Sequence, residues 1–318
     1  IRQGSGWPPR DILVPWPQRL ADAPWPEGAW TAYHHSILLM AEFVAVPPAT
    51  AGDPPPWSTA LRTADPWAAG APTDAQVRDS DHFHALLALR AERDNPGPPA
   101  LDITLRATIE RGLDAEIDEL FDLVDFRPPT LAEARVQAGN ILRYFEGLLT
   151  FSAGSHRTTV RLATAAQRIA QFQAVYYKNV FKRARPSMVS PRLMPPLDPP
   201  GHPSYPSGHA TEAWLIALVL EQVLPREVTV PLDRSGVAFP TGDRPLRRLA
   251  ARIARNREMI GVHYPSDSEV GRRLAENSLG ILLRCPSLGV PDPAGFDGDG
   301  ILTGALGGMI AAARAEWA

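Results

Sequence analysis

The chain has almost no sulfur chemistry available to it. Its 318 residues include a single cysteine, Cys285. An internal disulfide is therefore excluded, as is any metal site built from cysteines. Cys285 follows Leu282-Leu283-Arg284 and is expected to serve as a buried small hydrophobe. An excess of one charge sign is missing too. With 32 Lys and Arg, 35 Asp and Glu and a net charge of −3, no basic field points to nucleic acid. No apolar run approaches the roughly 20 residues of a membrane span. Alternating apolar runs flanked by hairpin turns are scarce, and no period of about 20 to 50 residues recurs. The expectation is a soluble protein, cytoplasmic or periplasmic/secreted, with a substantial core.

Proline, by contrast, is abundant: 34 residues, alongside 8 Trp. Residues 1–27 carry Trp7-Pro-Pro, Pro15-Trp-Pro17 and Pro24-Trp-Pro26. Such a segment cannot be regular helix, yet it is too aromatic for a typical disordered tail. Residues 46–75, with Pro54-Pro-Pro-Trp57, read as a long loop or second arm. Residues 1–75 are thus expected to be a proline/tryptophan-rich arm packed on a catalytic domain spanning 76–318, a single domain overall. The Trp rings either anchor on their own domain or mediate a homo-oligomer.

Helical spacing predicts helices over 28–45, 75–94, 100–124, 130–152, 157–181, 207–224, 243–262, 266–285 and 301–317. Thr130 with Glu133 and Ser266 with Glu269 fit capping boxes. Within 157–181, Val160, Ala163, Ala166, Ile169, Phe172, Tyr176 and Val180 fall on one stripe. The segment 207–224 is apolar nearly all round, the pattern of a helix buried at the centre of a bundle. The fold class is all-α, a multi-helix bundle with proline-rich N-terminal arms.

Three short clusters carry chemistry. Lys178 precedes Arg185-Pro186, Pro206-Ser207-Gly208-His209 opens the apolar helix, and Arg257 precedes His263 and Asp267. The start of a helix offers N–H groups with no partner inside the helix, and its dipole favours an anion there. Lys178, Arg185 and Arg257 add three positive charges. Ser207 offers a hydroxyl, and Gly208 an N–H without a Cβ in the way. Two histidines remain, one for an axial position and one for acid/base work opposite it. Asp267 lies four positions after His263, placed to accept its Nδ1–H and leave Nε2 for an oxyanion.

Together, over about residues 130–285, these clusters resemble the signature shared by type-2 phosphatidic acid phosphatases, bacterial class A acid phosphatases and vanadium-dependent haloperoxidases. The resemblance implies the helical bundle of that type. It implies that Lys178, Arg185, Ser207, Gly208 and Arg257 hold the oxygens of vanadate or phosphate. His263 would be the vanadium ligand or the phosphorylated histidine, His209 the acid/base, and Asp267 the residue orienting His263. Lys178 would also polarise bound peroxide. Asn256 stands where the pattern usually has Ser.

The run His202-Pro-Ser-Tyr-Pro-Ser-Gly-His-Ala-Thr211 is similar to that of algal vanadium bromoperoxidases. It places His202 on the halide side of the pocket. That likeness implies hydrogen peroxide, a halide with bromide favoured, and a small organic acceptor as partners. Gly261-Val-His-Tyr-Pro-Ser-Asp267 instead resembles bacterial phosphatases of the superfamily, and Val175 departs from the Trp or Arg often found there in haloperoxidases. A soluble acid phosphatase working through a phosphohistidine, and a non-catalytic oxyanion binder, stay open. His34-His35 and His82-x-His84 are expected to be solvent-facing or capping rather than metal ligands. Asp297-Gly-Asp-Gly300 is expected to be a turn, because the twelfth loop position is Gly308 rather than Glu.

Overall fold

The computed structural model describes residues 31–61, 103–230, 244–288 and 308–318, and the isolated positions 232, 234, 235 and 237; for 103–111 it describes the backbone alone. The expected arm over 1–30 and 62–75, the helix over 75–94 with His82 and His84, and the turn at Asp297 lie outside these residues.

The described chain is all-α, with no strand among the described residues. In order it forms α1 (Ala32–Ala45), α2 (Ile103–Asp122), α3 (Arg127–Gly139), α4 (Leu142–Leu149), α5 (Arg157–Phe181), α6 (Gly208–Val223), α7 (Pro245–Met259), α8 (Pro265–Leu282) and α9 (Gly308–Ala315). Single helical turns occur at Pro56–Thr59, Pro186–Val189 and Arg226–Thr229. No described helix is long and apolar enough to cross a membrane.

The largely apolar α6 lies at the centre. Every residue from Ala210 to Leu224 is buried, and α5, α7 and α8 pack around it. Its one deep charge near the C-terminus, Glu221, is held by Arg247 of α7 at 2.7 Å. The helix α5 buries the first half of its predicted stripe, from Val160 to Ile169, while Val180 is exposed. It ends where Lys182 turns left-handed, φ 53°, and donates its N–H to Lys178 O. Thr158 and Thr159, at its start, donate their N–H groups to Glu316 at 2.6 and 2.9 Å, which ties the C-terminal segment to the bundle. Trp57 packs on Phe172 and Tyr176, with centroids 5.2 and 5.1 Å apart, so this tryptophan anchors on its own domain.

Several boundaries differ from the sequence expectation. The segment 130–152 is two helices: Asn140 leaves the helical region, and its Oδ1 accepts from Arg143 N at 3.1 Å at the start of the second helix. Thr130 is no cap: α3 begins at Arg127, and the hydroxyl donates to Met259 Sδ. Ser266 is likewise inside its helix, its N–H donating to Glu116 Oε1 at 2.8 Å. Cys285 is buried, which raises its thiol to about 12. His34 caps α1, its Nδ1 accepting from Thr31 N at 3.3 Å.

Candidate active site

Three segments meet at one end of the bundle: the end of α5, the start of α6 and the turn between α7 and α8. The proline-studded loop 186–206 is pinned between them. Ser204 N donates to Arg183 O and Ser207 N to Asp267 O, each at 2.9 Å. Tyr205 is fully buried, edge-on to Phe181 at 5.1 Å. Ser207 then caps α6, its Oγ accepting from Ala210 N. Gly271 lets α8 approach this start: a Cβ there would lie 2.8 Å from Ser207 O and 2.9 Å from the Ala210 Cβ.

The cations converge on the start of α6. Lys178 is 2% exposed, and its Nζ donates to the carbonyls of Pro203, Ser204 and Pro206 at 2.9, 2.7 and 2.6 Å. Three acceptors match the three protons of an ammonium. Burial and the adjacent Arg185 lower this amine to about 7, against Asp267 and Glu212. Arg185 bridges two histidines. Its Nη1 lies 3.0 Å from His263 Nε2, and its Nη2 lies 3.0 Å from His202 Nδ1. It also donates to Val262 O at 2.7 Å and His202 O at 3.0 Å. Arg257 donates through Nη2 to Ala134 O at 2.7 Å and Gln137 Oε1 at 3.1 Å, leaving a buried Nε without a hydrogen-bond partner.

His263 and Asp267 do not share one helix. His263 precedes α8 and Asp267 lies in its first turn, yet Nδ1 and Oδ2 are 3.0 Å apart. An ionised Asp267 can only accept, so Nδ1 carries the proton and Nε2 the lone pair. That lone pair faces the Arg185 guanidinium rather than open space. Burial holds His263 well below its ordinary pKa, with Lys178 and Arg185 acting in the same direction against Asp267.

His209, in the first turn of α6, has a buried Nε2 without a hydrogen-bond partner. Burial and Arg257 hold it at about 3, against a bond to the Gln137 backbone. His202 sits at the exposed rim. Its Nδ1 can accept from Arg185 or donate to Pro203 O at 3.2 Å, but not both at once. A Cβ on Gly208 would meet nothing closer than Glu212 Oε1 at 3.8 Å, so protein packing does not demand glycine there. Asn256 donates to Gln137 Oε1 at 3.1 Å, the oxygen that also orients Arg257.

The chain's nine candidate residues, Lys178, Arg185, His202, Ser207, Gly208, His209, Arg257, His263 and Asp267, are thereby brought to one locality. Sequence reasoning missed Arg183, Glu116, Ser204, Gln137 and Glu212. Arg183 links Asp267 Oδ1 at 2.7 Å and Glu116 Oε2 at 2.8 Å. Ser204 Oγ donates to Asp267 Oδ2, and Tyr264 N reaches the same oxygen at 3.1 Å. The one signal for Arg183 was a second arginine beside Arg185. Chemically, the locality offers cations, helix-start N–H groups and two imidazoles whose pKa values burial lowers, a set suited to an oxyanion. Among the described residues no group of three His, Cys, Asp or Glu could hold a bare metal ion.

No family model matches the chain. A vanadium-dependent bromoperoxidase of Ascophyllum nodosum is 33% identical over 97 residues, covering 24% of this chain and 16% of that protein. A decaprenylphosphoryl-5-phosphoribose phosphatase of Mycobacterium tuberculosis is 31% identical over 110 residues, covering 35% of this chain and 51% of that protein. The chain is similar in part to both. It spans about half of the phosphatase and far less of the bromoperoxidase. Both relatives are enzymes, and the likeness is weak homology consistent with their shared superfamily.

Proposed function

We propose that the chain is a vanadium-dependent haloperoxidase that uses hydrogen peroxide to oxidise halide, bromide favoured, and halogenates a small organic acceptor. The feature that supports this reading over its alternative is His209: its buried Nε2 has no hydrogen-bond partner, and burial with the nearby Arg257 lowers its pKa to about 3, which favours the neutral ring. A neutral imidazole can take the proton that peroxide must lose, whereas a leaving alkoxide needs an imidazolium to protonate it.

The residues fit a tetrahedral oxyanion. The unpartnered His209 Nε2 and Arg257 Nε are both buried polar atoms wanting a partner, and the donor set is cationic. Vanadate would be held by Lys178, Arg185, Ser207, Gly208 and Arg257, with His263 Nε2 as its ligand. When bound it supplies a Lewis-acid centre that activates peroxide toward halide. Asp267 keeps the proton on His263 Nδ1, so that Nε2 stays a donor of its lone pair. His209 Nε2 accepts the peroxide proton. Lys178, whose three protons go to the carbonyls of Pro203, Ser204 and Pro206, acts on the developing negative charge through its own charge when protonated rather than through a hydrogen bond. His202, joined to Arg185, stands on the halide side. Overall, peroxide is reduced to water and bromide oxidised to hypobromous acid with uptake of a proton.

The partial likeness to a mycobacterial phosphatase and the exposed Val175 favour a second reading, a soluble acid phosphatase. His263 Nε2 would then form a bond to phosphorus as the alcohol leaves with a proton from His209, and water would release phosphate. The test compares the two activities. Purified protein is incubated with orthovanadate and assayed for peroxide-dependent bromination; aryl-phosphate hydrolysis is assayed in parallel without vanadate. Bromination that saturates with vanadate is the expected result. Brisk hydrolysis inhibited by vanadate, with no bromination at any vanadate level, overturns it.

A further inference from the structure

One turn into α6 lies a buried carboxyl that the chemistry above does not use. Glu212 is 7% exposed and faces α5. Its Oε2 accepts from two side-chain amides, Gln167 Nε2 at 2.9 Å and Gln171 Nε2 at 3.1 Å. Its Oε1 points toward the helix start. It is the heavy atom nearest to where a Gly208 Cβ would sit, at 3.8 Å, with Lys178 Cε at 4.0 Å from the same point.

This geometry has a chemical consequence. Two N–H donors occupy the lone pairs of Oε2, so the proton of the acid form resides on Oε1. An ionised Glu212 would set negative charge against a bound anion, whereas the acid form turns an O–H toward it. The charges acting on this carboxyl are Arg168 and Lys178, both of α5, and the nearest titratable group on its own helix is the neutral His209. Burial raises Glu212 to about 7, against the two glutamine bonds, Arg168 and Lys178, so the acid form is populated near neutral pH.

We propose that Glu212 is a further oxyanion-binding residue, its Oε1–H donating to an oxygen of the bound anion beside the Gly208 and His209 N–H groups, with Gln167 and Gln171 fixing which oxygen carries the proton. The inference rests on the cage being a tetrahedral-oxyanion site and holds for either chemistry proposed above. Glutamine is the natural mimic of the acid form: its carbonyl can take the two amide bonds while its NH₂ faces the anion.

The test is calorimetric binding of inorganic phosphate and of orthovanadate to the full chain, as wild type, Glu212→Gln and Glu212→Leu, from about pH 6 to about pH 9. At the acid end Glu212→Leu is expected to bind about ten- to a hundredfold more weakly than wild type, the loss of one hydrogen bond to a charged group, and Glu212→Gln to restore most of that loss. With rising pH the wild type should weaken relative to Glu212→Gln; taking the ratio cancels the anion's own titration. A ratio that stays constant across the range overturns the proposal, and it remains readable if the leucine variant does not fold. A folded Glu212→Leu that binds as well as wild type also overturns it. Wild-type protein that binds neither anion overturns the cage reading itself, a result distinct from either of these.

Discussion

Arg183 Nη1 lies 2.7 Å from Asp267 Oδ1, and its guanidinium carbon sits 3.6 Å from the centroid of the Tyr264 ring. Nη2 of the same side chain is 2.8 Å from Glu116 Oε2. One buried arginine thus spans α2, the end of α5 and the start of α8. It holds the carboxylate that in turn holds His263.

Removing that arginine leaves two buried carboxylates without their cation. Arg183→Ala is expected to cost about 3–5 kcal/mol of stability, the penalty of breaking a buried pair from one side. Arg183→Lys should recover part of the stability but less of the oxyanion affinity, because a point charge cannot satisfy Asp267, Glu116 and Ser266 while stacking on Tyr264. Urea unfolding paired with vanadate or phosphate binding separates the two effects. Equal binding by wild type and a folded Arg183→Lys would remove Arg183 from any role in positioning His263.

Asp267 gives a pH signature. Burial alone would raise its pKa, but Arg183, His263 and Ser204 hold it below the ordinary carboxylate range. As pH falls, the unfolded chain therefore takes up this proton before the folded protein does. The stabilisation is complete above about pH 4 and is lost as pH falls below that, toward the folded value. The stability gap between wild type and Asp267→Asn, measured in urea, should be several kcal/mol near neutrality, of the order seen when a buried pair is broken, and should narrow in acid. A gap independent of pH would mean that the carboxylate charge is not what matters.

What was legible in the sequence was what is local. The helix α5 shows in the stripe from Val160 to Ile169, and α6 in an apolar run that only a central helix can bury. All the candidate site residues but His202 lie in three short clusters, each within one stretch of chain, so residue type and spacing make them visible; His202 was singled out by resemblance alone. Arg183 could not be read this way: its partner Glu116 is 67 residues earlier, on a helix that no motif ties to the site. Gln137 and Glu212 were hidden for the same reason, since an amide or a carboxyl on a helical face reads as solvated until its packing partner is known. Thr130 and Ser266 show the converse error. Each fits a local capping pattern, and tertiary partners, Met259 and Glu116, override it.

His209 should resist protonation in oxyanion-free protein. Burial and Arg257 hold it at about 3, well below the ordinary value of 6.5. Its imidazole signals in NMR should thus show the neutral ring from neutrality down past about pH 5, rather than titrating near 6.5 as an exposed histidine does. Binding of phosphate or vanadate adds nearby negative charge and should shift the titration upward. The same lowered value affects folding. Below about pH 6.5 the unfolded chain binds a proton here that the folded chain refuses, so stability falls as pH drops, and His209→Gln should lack that component. A ring that titrates normally in the free protein would contradict the neutral-base role.

Gly271 is the clearest single contact on which the site's assembly depends. The close approach of α8 to the start of α6 leaves no room for a side chain: a Cβ would lie 2.8 Å from Ser207 O, 2.9 Å from the Ala210 Cβ and 3.2 Å from Thr211 N. The first and last of these are backbone atoms, which cannot rotate away. Gly271→Ala should therefore cost about 1–3 kcal/mol by overpacking and push Ser207 away from Asp267, weakening oxyanion binding as well. Gly280, on the same helix, is the control, because a Cβ there meets nothing within 4 Å. Gly280→Ala should be neutral or stabilising by up to about 1 kcal/mol, through helix propensity alone. Thermal unfolding and phosphate affinity of the two variants, measured side by side, test whether the α6–α8 contact sets the geometry of the cage. Matching affinities for both would show that the cage tolerates displacement of α8.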